Sequence, residues 1–188
     1  MKICSIIGTR PQFIKLSAFC YELKKYKKIK HTIINTGQHY DHNMSNVFIK
    51  ELKISQPHHN LKIGGGTHGK NTAKMIEEIE KILLSNNFDL IIVFGDTDST
   101  LAGALSAVKL NIKIAHIESG LRSYDISMPE EVNRIIVDQI SSYLFAPTEI
   151  SKKNYEKVMS ISFKAHKLLK CRGTTRSDFR FYKDKFYL

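Results

Sequence analysis

No stretch of this chain approaches the ~20 consecutive apolar residues that a membrane helix needs, so no membrane helix is expected. The opening run, residues 1–7, is too short for a secretory leader and has no small-residue cleavage pattern, and the expected location is cytoplasmic. Cysteine is scarce. Cys4, Cys20 and Cys171 are widely spaced and odd in number, which argues for reduced thiols over a disulfide frame or a metal site. His58 and His59 have no partner at a ligand spacing, and no metal is expected. The glycine-rich string Ile63–Lys70 is not closed by Gly-Lys-Ser/Thr, which excludes the Walker phosphate loop and leaves a connecting loop before a helix over 71–84. Low-complexity tracts are absent. With 188 residues, 42% of them hydrophobic, the composition is that of one sizeable folded domain.

Acidic residues are lacking in one region only. The net charge is +11, but residues 151–188 carry 11 basic against 3 acidic side chains, and residues 1–150 are nearly balanced. The basicity therefore belongs to the tail, which weakens a nucleic-acid-binding face on the body. Beyond residue 160 no period of 2 or 3.6 is visible. A body over 1–160 and a poorly ordered basic tail over 161–188 are expected.

What is present is a strict alternation of strand and helix. Strand 2–7 ends on Gly8-Thr9-Arg10-Pro11, where glycine permits the turn, Thr9 can cap and Pro11 suits a first helical turn. Such a turn aims backbone N–H groups at a crevice that binds anions, and Arg10 and Lys15 add cations at its mouth. Strand 31–36 leads to Gly37-Gln38-His39, and a short helix is expected over 43–53. The apolar runs 90–94 and 112–117 read as central parallel strands covered on both faces, and they deliver Asp96 and Glu118 to one carboxyl edge. A helix over 130–140 follows Pro129, with Glu130, Asn133 and Arg134 within one turn of one face. Strand 142–146 and a helix from Thr148 towards 159 complete an α/β, Rossmann-like doubly wound parallel sheet. Carboxylates that converge on one crevice are the material of acid–base chemistry.

Six strings, Gly8–Lys15, Thr36–Asp41, Val93–Ala104, His116–Ser123, Met128–Ile135 and Leu144–Ser151, together resemble the N-terminal half of the non-hydrolysing UDP-N-acetylglucosamine 2-epimerases. The resemblance covers about 150 residues. It implies the N-terminal domain of a two-domain GT-B-type fold that closes on a sugar nucleotide, with no cofactor, UDP-GlcNAc and UDP-ManNAc as substrates, and a homodimer left open. It also implies catalytic roles for Asp96, Glu118, Glu130 and Arg134, and substrate contacts from Arg10, Lys15, Gln38 and His39. Ser119 stands where the family usually has alanine. The family's C-terminal UDP-binding domain, with its essential histidine, is not represented, so a truncated half with little activity of its own is expected. A hydrolysing epimerase or another sugar-nucleotide enzyme on the same half-fold is the alternative. A non-enzymatic module that binds nucleic acid through the basic tail is a third reading.

Overall fold

The computed structural model describes residues 1–38, 49, 51–52, 54–155, 180–182 and 185–187. Six strands form one sheet: β1 (Lys2–Ile7), β2 (Lys30–Asn35), β3 (His59–Asn60), β4 (Leu90–Phe94), β5 (Lys113–Ile117) and β6 (Tyr143–Phe145). Their order is β3-β2-β1-β4-β5-β6 and every neighbouring pair is parallel. Helices α1 (Arg10–Leu23), α2 (His68–Ser85), α3 (Asp98–Lys109) and α4 (Pro129–Ile140) connect them. A helical stretch over 149–155 follows β6.

Period-2 alternation along the strands divides the core into two layers. Cys4, Ile6, Ile91, Val93 and Ile114 point to one face. There they meet Met75, Ile79 and Leu83 of α2, Ala102 and Ala107 of α3 and Val137 of α4. Ile3, Ile7, Ile92, Phe94 and Ala115 point to the other face, under Phe13 and Leu16 of α1 with Ile49 and Ile54. The continuous apolar runs of β4 and β5 are thus buried on both sides, as an interior parallel strand requires.

The doubly wound sheet agrees with expectation; several bounds differ. Helix α2 starts at His68 rather than 71, because Thr67 caps it by accepting from the Lys70 N–H. The two-residue β3 was not expected, and it arises where the chain passes alongside β2. The expected helix over 43–53 lies outside the described residues except at 49, 51 and 52. Most of the tail also lies outside them; within it, Arg180–Tyr182 (β7) and Lys185–Tyr187 (β8) pair antiparallel. Among the described residues no helix is long and apolar enough to cross a membrane.

Candidate active site

The carboxyl ends of the strands are tied together by side chains. Gln12, buried in the first turn of α1, sits at one knot. Its Oε1 accepts from the Gly8 and Thr9 N–H groups (2.7 and 3.1 Å), and its Nε2 donates to the Phe94 carbonyl (2.7 Å) and to the Thr97 and Thr100 hydroxyls (3.0 Å each). This corrects the reading of that turn as an open anion cradle: the N–H groups of Gly8 and Thr9 are already bonded to Gln12. The Thr9-x-x-Gln12 spacing of a capping box is the sequence signal for it. Arg10 begins α1 with its side chain exposed. Gln38 is engaged in a similar way, since its Oε1 accepts from the Ser99 N–H (3.1 Å) and hydroxyl (2.6 Å) at the start of α3. Gln38 therefore positions the β4–α3 turn. His39 lies outside the described residues.

The next turn, Gly95-Asp96-Thr97, leaves β4 with Gly95 at φ +64°. A Cβ at Gly95 would stand 3.2 Å from the Glu118 carboxylate and 3.6 Å from the Lys15 Nζ, so glycine keeps this floor open beneath an ion pair. Lys15 of α1 pairs with Glu118. Partial burial lowers the lysine pKa, and the negative charge of Asp96 pulls it back up. Lys15 thus senses both carboxylates. Glu118 itself has φ +71°, a left-handed conformation costing a non-glycine residue about 1–3 kcal/mol. It is held there by the Phe145 carbonyl, which accepts from the N–H groups of both Glu118 and Ser119.

Asp96 meets Arg134 of α4 at 2.6 Å, and the same guanidinium meets Glu131 at 2.7 Å. Glu131 is 1% exposed and also accepts from the Ser123 and Tyr124 N–H groups (3.0 and 3.1 Å), which pins the 118–128 loop to α4. Burial would raise its pKa. The Ser123 N–H, Arg134, the Tyr124 N–H and the charge of Arg122 outweigh that and hold it below the ordinary value. The expected one-face grouping of Glu130, Asn133 and Arg134 is only partly realised. Asn133 is buried and Arg134 half-buried against the sheet edge, whereas Glu130 is exposed in the first turn of α4, where its charge acts on His68.

Behind the crevice lies a buried ion cluster. His116 of β5 contacts the Asp138 carboxylate through Nδ1 (2.7 Å) and the Gly95 carbonyl through Nε2 (2.7 Å). Asp138 also accepts from Arg122 (2.7 Å) and from the Gly120 N–H (3.1 Å). Both ring nitrogens face acceptors, so the ring is held between α4 and the β4–α3 turn. Burial would raise the pKa of Asp138, but the bonds and charges of His116 and Arg122 prevail and lower it. Asp138 and Glu131 therefore hold fewer protons when folded than when unfolded, and their stabilisation is complete only above the ordinary carboxylate value of about 4. It is lost as pH falls through their depressed folded values. Thermal scans should give a nearly constant midpoint from pH 7 to 5 and a steep fall below about 4, and Glu131→Gln should make that fall shallower.

Sequence reasoning brought forward Asp96, Glu118, Lys15 and Arg134, and the structure links these four by ion pairs and charge at the carboxyl edge of the sheet. It missed Gln12, Asp98, Glu131, His116, Arg122 and Asp138. A histidine inside a buried strand, which needs a partner for each ring nitrogen, was the available signal for the ion cluster. Among the described residues no group of three or more His, Cys, Asp or Glu side chains could hold a metal ion.

A family model described as UDP-N-acetylglucosamine 2-epimerase matches residues 21–162. A UDP-N-acetylglucosamine 2-epimerase from Methanocaldococcus jannaschii is 55% identical over 154 residues, covering 82% of this chain and 42% of that protein. A Pseudomonas aeruginosa UDP-2,3-diacetamido-2,3-dideoxy-D-glucuronate 2-epimerase is 50% identical, covering 82% of this chain and 44% of that protein. The crystal structure of the M. jannaschii enzyme in complex with UDP-GlcNAc and UDP superposes with a TM-score of 0.82 at 53% identity, over 85% of this chain and 44% of that one. This chain thus spans less than half the length of these relatives and corresponds to their N-terminal half. A family-model match over most of the chain, joined to 55% identity and a close superposition, places it in the UDP-N-acetylglucosamine 2-epimerase family.

Proposed function

We propose that this chain carries the acid–base half of a sugar-nucleotide 2-epimerase site, acting on UDP-GlcNAc and UDP-ManNAc by elimination and re-addition of UDP. The observation that supports it most directly is the clustering of Asp96 and Glu118, each beside a cation, at the carboxyl edge of the sheet. In the elimination a base removes the C2 proton, the C1–oxygen bond breaks and UDP leaves. The reverse steps deliver a proton to C2 from the other face. Asp96, Glu118 and Glu130 supply the carboxyl groups, and Arg134 aims Asp96. Lys15 and Arg10 offset diphosphate charge as the leaving group departs. The His39 contact is carried by family resemblance alone.

The chain spans less than half the length of the relatives, and on this half-site reading turnover by the chain alone should be slight. Incubated with UDP-GlcNAc and followed by proton NMR, it should show amide shifts at Gly95, Asp96 and Ser119 but little UDP-ManNAc. Turnover of about 1 per second or more would overturn the half-site reading, and release of free ManNAc would mark a hydrolysing enzyme. The 50% identity to the glucuronate epimerase favours a second substrate reading. The same titration with that uronate separates the two.

A further inference from the structure

We propose that His68, oriented by Asp98, is a further acid/base group of the same crevice, an inference that rests on the sugar-nucleotide reading above. Asp98 is 6% exposed, a costly place for a carboxylate unless its charge is used. Helix capping does not explain it, because Thr97 caps α3 by accepting from the Thr100 N–H. Asp98 Oδ1 accepts from the Asn133 side-chain amide (3.3 Å), and Oδ2 faces His68 Nδ1 at 2.7 Å. The His68 side chain is 68% exposed at the first residue of α2. A buried carboxylate is thus spent on aiming a ring that adds nothing to the core.

That arrangement is a base oriented by a third group. With Nδ1–H held on Asp98, the proton enters and leaves at Nε2, the nitrogen not engaged by the carboxylate. The Asn133 amide nitrogen that supports Asp98 also donates to the backbone carbonyl of Asp96 (2.9 Å), so the dyad and the Asp96 turn share one support. The charged groups acting on the ring are Asp98 at the start of α3 and Glu130 in the first turn of α4. The hydrogen bond to Asp98, then its charge, then that of Glu130, hold the imidazole above its ordinary pKa against slight desolvation. At Nε2 the ring gives a proton to a substrate oxygen as the C1–oxygen bond breaks and takes it back when that bond re-forms, with no bond formed to carbon.

Histidine-ring NMR on the isotope-labelled chain between pH 5.5 and 8.5 tests this, with His68→Gln identifying the signal. The neutral ring should carry its proton on Nδ1, and its titration midpoint should lie above that of free histidine. Saturating UDP-GlcNAc should shift the Cε1–H resonance. Asp98→Asn should lower the midpoint and move the proton to Nε2. The tautomer is read on the unmutated chain, so the result stands even where that variant fails to fold. A neutral ring protonated on Nε2 overturns the proposal. So does a His68 signal unmoved by UDP-GlcNAc while the amides of Gly95, Asp96 and Ser119 shift, and the sugar-nucleotide reading then survives. Amides that stay still as well sink that reading and this inference together.

Discussion

Asp138→Asn should lower the unfolding free energy by about 3–5 kcal/mol, measured by urea denaturation at pH 7. The carboxylate is almost fully buried and holds His116, Arg122 and the Gly120 N–H. Neutralising it leaves the partly buried Arg122 guanidinium and the His116 ring without the carboxylate that both face. Much of the loss comes from groups left buried without their partner, so removing a second member of the cluster should cost less than the sum of the single changes. His116→Gln combined with Asp138→Asn should therefore be clearly less than additive. A loss below about 1 kcal/mol for Asp138→Asn, in the range of an ordinary surface ion pair, would mean that the cluster is solvated and does not hold β5 to α4.

Gly8→Ala should be nearly as damaging, for a steric reason. A Cβ at Gly8 would fall 2.1 Å from the Thr36 Oγ1 and 2.2 Å from the Ser99 Oγ. Those two hydroxyls are bonded to each other at 2.8 Å, and Ser99 also bonds Gln38. The ends of β1 and β2 and the start of α3 meet at this point, so no neighbour can yield without breaking that set. Overpacking of this kind costs about 1–3 kcal/mol, and a lost buried hydrogen bond about 1 more. At ~2–4 °C per kcal/mol for a chain of this size, a fall in melting temperature of about 10 °C is expected. Gly69→Ala is the control: nothing lies within 4 Å of its added Cβ and the site is helical. It should be neutral or stabilise by about 0.4–1 kcal/mol. Equal losses at the two glycines would refute the close-approach account.

How much of this was legible depended on whether the signal lay along the chain or across it. The apolar runs of β4 and β5 announce burial on both faces, and an acid placed directly after such a run is carried to the sheet edge whatever surrounds it. Asp96 and Glu118 were found that way. The adjacent pair Glu130 and Glu131 shows the limit. One turns inward to Arg134 and the loop amides, the other outward towards His68, and only the docking of α4 on the sheet decides which. The His68–Asp98 contact joins residues 30 apart that share no pattern. Gln12 was readable in principle, since its spacing from Thr9 is that of a capping box. Its reach to Phe94, 82 residues away, was not.

The cross-ties at the carboxyl edge have a consequence for where this sheet loosens. Parallel strands commonly yield at their tips, where ladder bonds run out. Here Gln12 joins the ends of β1 and β4, Ser99 joins the end of β2 to α3, and His116 joins β5 to Gly95. Opening any one tip must break contacts belonging to the others, so the rim gives way as a unit or not at all. The carboxyl edge is then the stiff end of the sheet, and thermal breathing is displaced to the opposite, amino-terminal ends of its strands.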